Sequence, residues 1–313
     1  MRSLIVGATG CAGSHLADYL LGKGYDVFGT KRETSSVDRI QHLFDKMTLL
    51  DLDLEDSESI AHVIEESDPD QIYFLASPGH FAGITEIDRT AVDGTLRFFE
   101  TLLECSSRPR IVLVSSSAVY GAPRNASPIR ESDALLPATP YALGKVFQEE
   151  IAEYYNRRWK PGIMIARSFN HPGPGENPDL VCSDFAKQIV QMENGRKKPV
   201  LYVGRLDHRR DFTDVRDIVR GYALLAEQGR PGEAYNLCSG QSIPIRWIVD
   251  RLLSLSRVKI EVEVDSSRFR SGEVNVQTGD PFKIFSETGW RARIPIERTL
   301  EDILTYQRGK GTP

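Results

Sequence analysis

Short apolar runs alternate with stretches of helical spacing through the first half of the chain. Leu4-Ile5-Val6 is followed by Ser14 to Leu21, whose apolar residues recur on one helical face. Gly24 to Thr30 reads as a second strand, and a third apolar run leads into Asp51-Leu52-Asp53-Leu54. Ser57 to Glu66 follows as a helix with Ile60, Val63 and Ile64 turned inward. Gln71 to Ser77 is a fourth strand ending in small residues, Thr95 to Leu103 a helix, and Ile111 to Val114 a fifth strand leading to three serines. A helical run opens at Tyr141, and Gly162 to Ala166 returns to a strand. Near-continuous apolar strands alternating with helices predict an α/β fold, a doubly wound parallel sheet that gathers ligands at the carboxyl ends of its strands.

The alternation stops at Ser168 to Gly175, too rich in proline and glycine for either period and so a loop. Beyond it the elements are mixed: a helix near Ser183 to Glu193, a strand near Val200 to Val203, and Arg209 to Asp214 ahead of another helix. A chain of 313 residues is long enough for two domains. The division expected is 1–167 with about 211–240 as the cofactor-binding domain, and 168–210 with about 241–313 as a smaller mixed α/β substrate domain.

Composition adds mainly exclusions. With 40% hydrophobic and 27% charged residues and no bilayer-length apolar run, the chain reads as an ordinary globular protein with no membrane partner. A formal net charge of −5 argues against a nucleic-acid footprint. Cys11, Cys105, Cys182 and Cys238 are scattered and the six histidines lack ligand spacing, so no metal is expected. The start goes straight into a strand without a signal-peptide pattern, and a cytoplasmic location is expected.

Three features carry chemistry. Gly7, Gly10 and Gly13, with Thr9, Cys11 and Ala12 between them, join the first strand to the first helix. Strand, glycine-rich turn and helix in that order make a dinucleotide site, in which the backbone approaches a pyrophosphate at the positive end of the helix dipole. Lys31 and Arg32 end the second strand where an NAD site would place an acid, so NADP(H) is favoured over NAD. Tyr141 and Lys145 lie four apart on one helical face, which lets the ammonium approach the phenol and lower its pKa from about 10. Ser116, at the end of the preceding strand, could hydrogen-bond a carbonyl oxygen as it gains charge.

With G-x-x-G-x-x-G, the serine strand end and Y-x-x-x-K in this order, the whole chain resembles an extended short-chain dehydrogenase/reductase of the nucleotide-sugar branch, with a Rossmann domain. Asp184 to Ile189, Arg210 to Asp217 and Tyr235 to Gly240 are similar to the GDP-4-keto-6-deoxy-D-mannose reductases that form GDP-D-rhamnose. Gly24 to Arg32 is similar to the GDP-mannose 4,6-dehydratases. The resemblance implies Ser116, Tyr141 and Lys145 as catalytic residues, with Lys145 also on the nicotinamide ribose. It implies a cofactor lined by the glycine turn and by Thr30, Lys31, Arg32, Asp53, Leu54, Leu75, Ala76, Ser77 and Val114, with Phe169 and His171 at the nicotinamide end. It places Ser117, Asn170, Val181, Lys187, Arg210, Arg270 and Glu273 around a nucleotide-diphosphate sugar, GDP-linked, and implies a homodimer paired through the Tyr141 helix.

Departures narrow the reaction. The dehydratases need a carboxylate just before the Tyr-Gly of the serine strand, and here Ser117 and Ala118 occupy those places. Reductases that also epimerise carry a cysteine where Ala118 stands. Ala91, Arg205 and Ser271 depart from residues usual in the family and bear on the choice of base. The leading expectation is NADPH-dependent reduction of a GDP-4-keto-6-deoxyhexose at C4. A nucleotide-sugar epimerase or dehydratase is the alternative enzyme, and an NADP-sensing binding protein on the same fold is the alternative outside catalysis.

Overall fold

The computed structural model describes residues 1–77, 88–122, 128–158, 162–269 and 274–310. Seven parallel strands form its main sheet: β1 (Arg2–Val6), β2 (Asp26–Lys31), β3 (Thr48–Asp51), β4 (Gln71–Phe74), β5 (Arg110–Ser116), β6 (Ile163–Ser168) and β9 (Ala234–Leu237). Their order is β3-β2-β1-β4-β5-β6-β9. The chain therefore runs outward from β1 in one direction, returns and runs outward in the other, which opens a crevice beside the end of β1.

The period of two along each strand separates two cores. Ile5, Val27, Tyr73, Val112 and Met164 face one side, against α1 (Cys11–Gly22) and α6 (Val215–Gln228). Leu4, Val6, Ile72, Phe74, Leu113 and Ile165 face the other, against α2 (Ser57–Ser67), α3 (Gly94–Glu104) and α4 (Pro140–Asn156). Both faces are covered, which is why these strands read as continuous apolar runs.

A third core joins α5 (Val181–Glu193), α7 (Ile245–Ser254) and α9 (Ile296–Lys310) to β7 (Val200–Val203). β7 pairs in parallel with β11 (Glu261–Val264). β8 (Arg209–Asp211) lies between β10 (Ser242–Pro244) and β12 (Val276–Gln277), and α8 (Phe282–Thr288) follows. Among the described residues no helix is long and apolar enough to cross a membrane.

Some element ends differ from the sequence reading. The second strand begins at Asp26, because Gly24 takes φ 80° and closes the turn after α1. β5 continues to Ser116 and β6 to Ser168, since both stay paired through Ser116↔Ser168. Ser115 and Ser116 are thus the last residues of a central strand, placed by sheet register, and Ser117 opens the turn that follows.

Candidate active site

The glycine turn fits a pyrophosphate. A Cβ on Gly13 would lie 2.3 Å from Gly7 O and 2.9 Å from Ala8 Cα, so only glycine lets the helix start this close to β1. Gly10 precedes α1 in extended conformation, and the first-turn N–H groups at Cys11, Ala12 and Gly13 open onto the crevice without acceptors inside the helix. Thr30 supports the turn: its Oγ1 accepts from Gly7 N–H (3.1 Å) and its carbonyl from Ala8 N–H (3.0 Å). Among the described residues no side-chain hydrogen bond caps α1.

The structure treats Lys31 and Arg32 differently. Lys31 faces Asp51 across the β2–β3 register and its ammonium is ion-paired with that carboxylate. Arg32 is exposed, its backbone N–H bonded to Ser35 Oγ at 3.3 Å. Arg32 is consequently the cation of the pair available to a 2′-phosphate. Asp53 is exposed and caps the turn before α2 by accepting from Glu55 N–H, with Leu54 half-buried beside it. Leu75, Ala76 and Ser77 leave β4 half-buried at the mouth of the crevice.

At the end of β5, Ser116 Oγ accepts from Ala118 N–H (3.2 Å) and is hydrogen-bonded to the Tyr141 phenol. Thr139 caps α4 by accepting from Ala142 N–H, and Pro140 fits the helix's first position, which fixes Tyr141 one residue into the helix. The expectation that Lys145 depresses the Tyr141 pKa is corrected. Burial raises the phenol's pKa, and the group that opposes the rise is Ser116. Lys145 instead donates to Val114 O (2.6 Å) and Gln148 Oε1 (3.0 Å), and burial pushes its ammonium down to about 7 against the charge of Glu149. A charge removed from water favours its neutral form, so both residues are held toward neutrality.

Other expected residues divide. Phe169 is buried against the Tyr120 ring, and His171 Nδ1 donates to Phe169 O (2.7 Å), its ring kept neutral by burial. Ser117 is buried and its carbonyl accepts from Gln277 Nε2. Asn170 is committed elsewhere: its Nδ2 donates to Asp211 O (3.0 Å), and its carbonyl accepts from Thr213 N–H, so it ties the loop after β6 to β8. Val181 begins α5, and Lys187 lies on that helix's exposed face. Arg210 Nη1 donates to Arg209 O at 3.0 Å. Arg270 and Glu273 lie outside the described residues.

Sequence reasoning missed two residues. Arg39 Nε donates to Gly175 O (2.6 Å), joining the segment after β2 to the loop after β6. Gln148 is fully buried beside Lys145. A buried polar residue three positions from Lys145 shares its helical face, and that spacing was the available signal. Among the described residues no cluster of three His, Cys, Asp or Glu could hold a metal.

The chain is similar to known proteins along nearly its whole length. GDP-6-deoxy-D-mannose reductase of Pseudomonas aeruginosa is 29% identical over 311 residues, spanning 97% of this chain and 96% of the relative. GDP-mannose 4,6-dehydratase of Sinorhizobium fredii is 30% identical over 346 residues, spanning 98% and 97%. The solved structure of RMD from Pseudomonas aeruginosa complexed with NADPH superposes with a TM-score of 0.83 at 28% identity, covering 99% of this chain and all of that one. The pattern of the family described as GDP-mannose 4,6 dehydratase matches residues 4–303, and the chain belongs to that family.

Proposed function

We propose that the chain is an NADPH-dependent 4-ketoreductase of GDP-4-keto-6-deoxyhexoses. The observation that carries this reading is the Ser116–Tyr141 hydrogen bond at the end of β5, with Ser117 and Ala118 beside it. A hydroxyl pair can hold a ketone oxygen and give it a proton, and neither flanking residue can abstract a proton from carbon. The name of the Pseudomonas aeruginosa reductase and the NADPH in the related solved structure support it.

The glycine turn would hold the pyrophosphate, Arg32 the 2′-phosphate, and Lys145 the nicotinamide ribose. The nicotinamide, when bound, supplies the hydride. Ser116 and Tyr141 orient the C4 carbonyl through its oxygen, and Tyr141 delivers the proton as negative charge develops there. Because burial keeps Tyr141 protonated, it enters the reaction as an acid. General acid catalysis of this kind contributes about 10²- to 10⁴-fold, and positioning supplies much of the remainder.

We also read 1–167 with 211–240 as the cofactor domain, and 168–210 with 241–313 as the nucleotide-sugar domain; the inclusion of β9 in the main sheet supports it. A homodimer is part of the same reading. Val92, Leu96, Leu103, Phe147, Ile151 and Tyr154, together with the charged Glu100, Glu150 and Arg158, line a groove of about 610 Å³ along α3 and α4, suited to the same face of a second copy. The function is tested by NADPH oxidation with freshly made GDP-4-keto-6-deoxy-mannose and analysis of the sugar formed. No oxidation above the cofactor-only rate would overturn it.

A further inference from the structure

Lys145 is buried at 2% exposure, and its ammonium carries three N–H groups. One is met by Val114 O, from the strand that ends in Ser116, and a second by Gln148 Oε1. Gln148 is buried at 0% exposure and its own amide is fixed from behind. Its Nε2 donates to Ala76 O (3.2 Å), at the exit of β4, and to Thr95 Oγ1 (2.9 Å), in the first turn of α3. A carbonyl oxygen can only accept, so Ala76 O determines which end of the amide is nitrogen. A flipped amide would set oxygen against Ala76 O and N–H against the ammonium. The acceptor end of Gln148 is therefore locked onto Lys145.

We propose that Gln148 is a positioning residue for Lys145: with Val114 O it fixes two of the three ammonium N–H groups and so aims the third at the crevice shared by Tyr141 and the cofactor ribose. This rests on the ketoreductase reading of the site. The arrangement links β4, α3 and α4 to one ammonium, so a displacement of the β4 exit reaches Lys145 through a single amide. The surroundings leave Gln148 as the adjustable partner. β5 gives Lys145 the Val114 carbonyl, and α4 gives it Gln148 Oε1 and the charge of Glu149. Glu149 is already engaged by Arg167 of β6 and by Ser115 Oγ. Removing Oε1 leaves a buried N–H unpaired and weakens the charged form of Lys145; a carboxylate in its place strengthens it.

Three proteins decide the matter: the unaltered chain, Gln148→Leu and Gln148→Glu. Two readouts are needed, steady-state reduction of GDP-4-keto-6-deoxy-mannose across pH, and titration of the Lys145 side chain by carbon–proton NMR, assigned with Lys145→Arg. For Gln148→Leu, kcat should fall on the order of tenfold, the loss of one hydrogen bond to a charged group, with KM for the sugar little changed. Its alkaline limb and the Lys145 titration should both move down by about one pH unit, and Gln148→Glu should move both up. If neither substitution displaces the Lys145 titration, or if both lower kcat alike without moving the limb, Gln148 is only a packing residue. Because the titration needs no turnover, an unaltered chain inactive on the keto-sugar would remove the reductase reading while leaving the role of Gln148 decided by NMR.

Discussion

Arg167 and Glu149 close a buried two-point ion pair between β6 and α4, with Arg167 Nε 3.1 Å from both carboxylate oxygens and Nη2 2.7 Å from Oε2. The same guanidinium donates to Tyr120 OH (2.9 Å) and Glu131 O (3.0 Å), and Tyr120 OH donates to Asn236 Oδ1 on β9. Strands β6 and β9 and the helix that carries Tyr141 thus share one charged centre. Breaking such a pair from one side leaves a buried charge uncompensated. Glu149→Ala should cost about 3–5 kcal/mol in urea unfolding, and Glu149→Leu with Arg167→Met should recover part of it. A loss of less than about 1 kcal/mol, the range of a surface pair, would show that the centre is solvated.

The split between Lys31 and Arg32 gives a cofactor prediction. Arg32 is free of the Asp51 pair that holds Lys31, so Arg32→Ala should raise the Kd for NADPH by about tenfold, one charge-assisted phosphate contact, and leave NADH almost unchanged. Lys31→Ala should affect NADPH less. Isothermal titration with both cofactors measures this, and equal losses for NADPH and NADH would remove Arg32 from the 2′-phosphate.

How much of this was legible in the sequence depends on what fixed each feature. The glycine turn and the apolar runs at Leu4–Val6 and Gln71–Phe74 are local patterns, and they gave the sheet and the cofactor crevice. The Lys31–Asp51 pair was hidden because it follows from the parallel register of β2 with β3, which periodicity does not specify. The setting of Lys145 was hidden for a related reason: its acceptor Val114 O, and the Thr95 hydroxyl that holds Gln148 from behind, belong to elements far from it in sequence. Y-x-x-x-K predicts a shared face, but it does not weigh Tyr141 against a carbonyl and an amide as partners for the ammonium. Arg270 and Glu273 lie outside the described residues, so the nucleotide end of the site rests on resemblance.

Burial of Lys145 makes a prediction about stability. Its pKa is moved from 10.5 down to about 7 in the folded chain. Between those values the unfolded chain holds a proton that the folded chain lacks, so this residue's contribution is complete above about 10 and is lost as pH falls toward about 7. The difference in unfolding free energy between wild type and Lys145→Met should therefore grow in favour of wild type as pH rises across that window. A pH-independent difference would mean that Lys145 stays charged in the fold.

The apolar face of α3 and α4 predicts the assembly. Phe147 and Tyr154 are 41% and 42% exposed on the helix that carries Tyr141 and Lys145, and both line the groove. Phe147→Glu with Tyr154→Glu should convert a dimer into monomers by sedimentation at micromolar concentration, because the added carboxylates join Glu100 and Glu150 in a groove whose one cation among the described lining residues is Arg158. A wild-type chain that sediments as a monomer at that concentration would show that the face serves another purpose.

The last prediction separates ketone reduction from dehydration, the two reactions named among the relatives. Elimination of water from GDP-mannose requires removal of the C5 proton, and the residues beside the Ser116–Tyr141 pair, Ser117 and Ala118, include no carboxylate. Tyr141 is itself held in the protonated form by burial, so it is poorly suited to act as that base. With GDP-mannose and NADP⁺ in deuterated water, the protein should give neither a 4-keto-6-deoxy product nor deuterium at C5. With the keto-sugar and NADPH, Tyr141→Phe should lower kcat by about 10²- to 10⁴-fold, the contribution of a general acid, while NADPH affinity holds. Deuterium at C5 in the wild type would mean that another group in the crevice takes the proton, and the chain would then be a dehydratase whose base lies outside the end of β5.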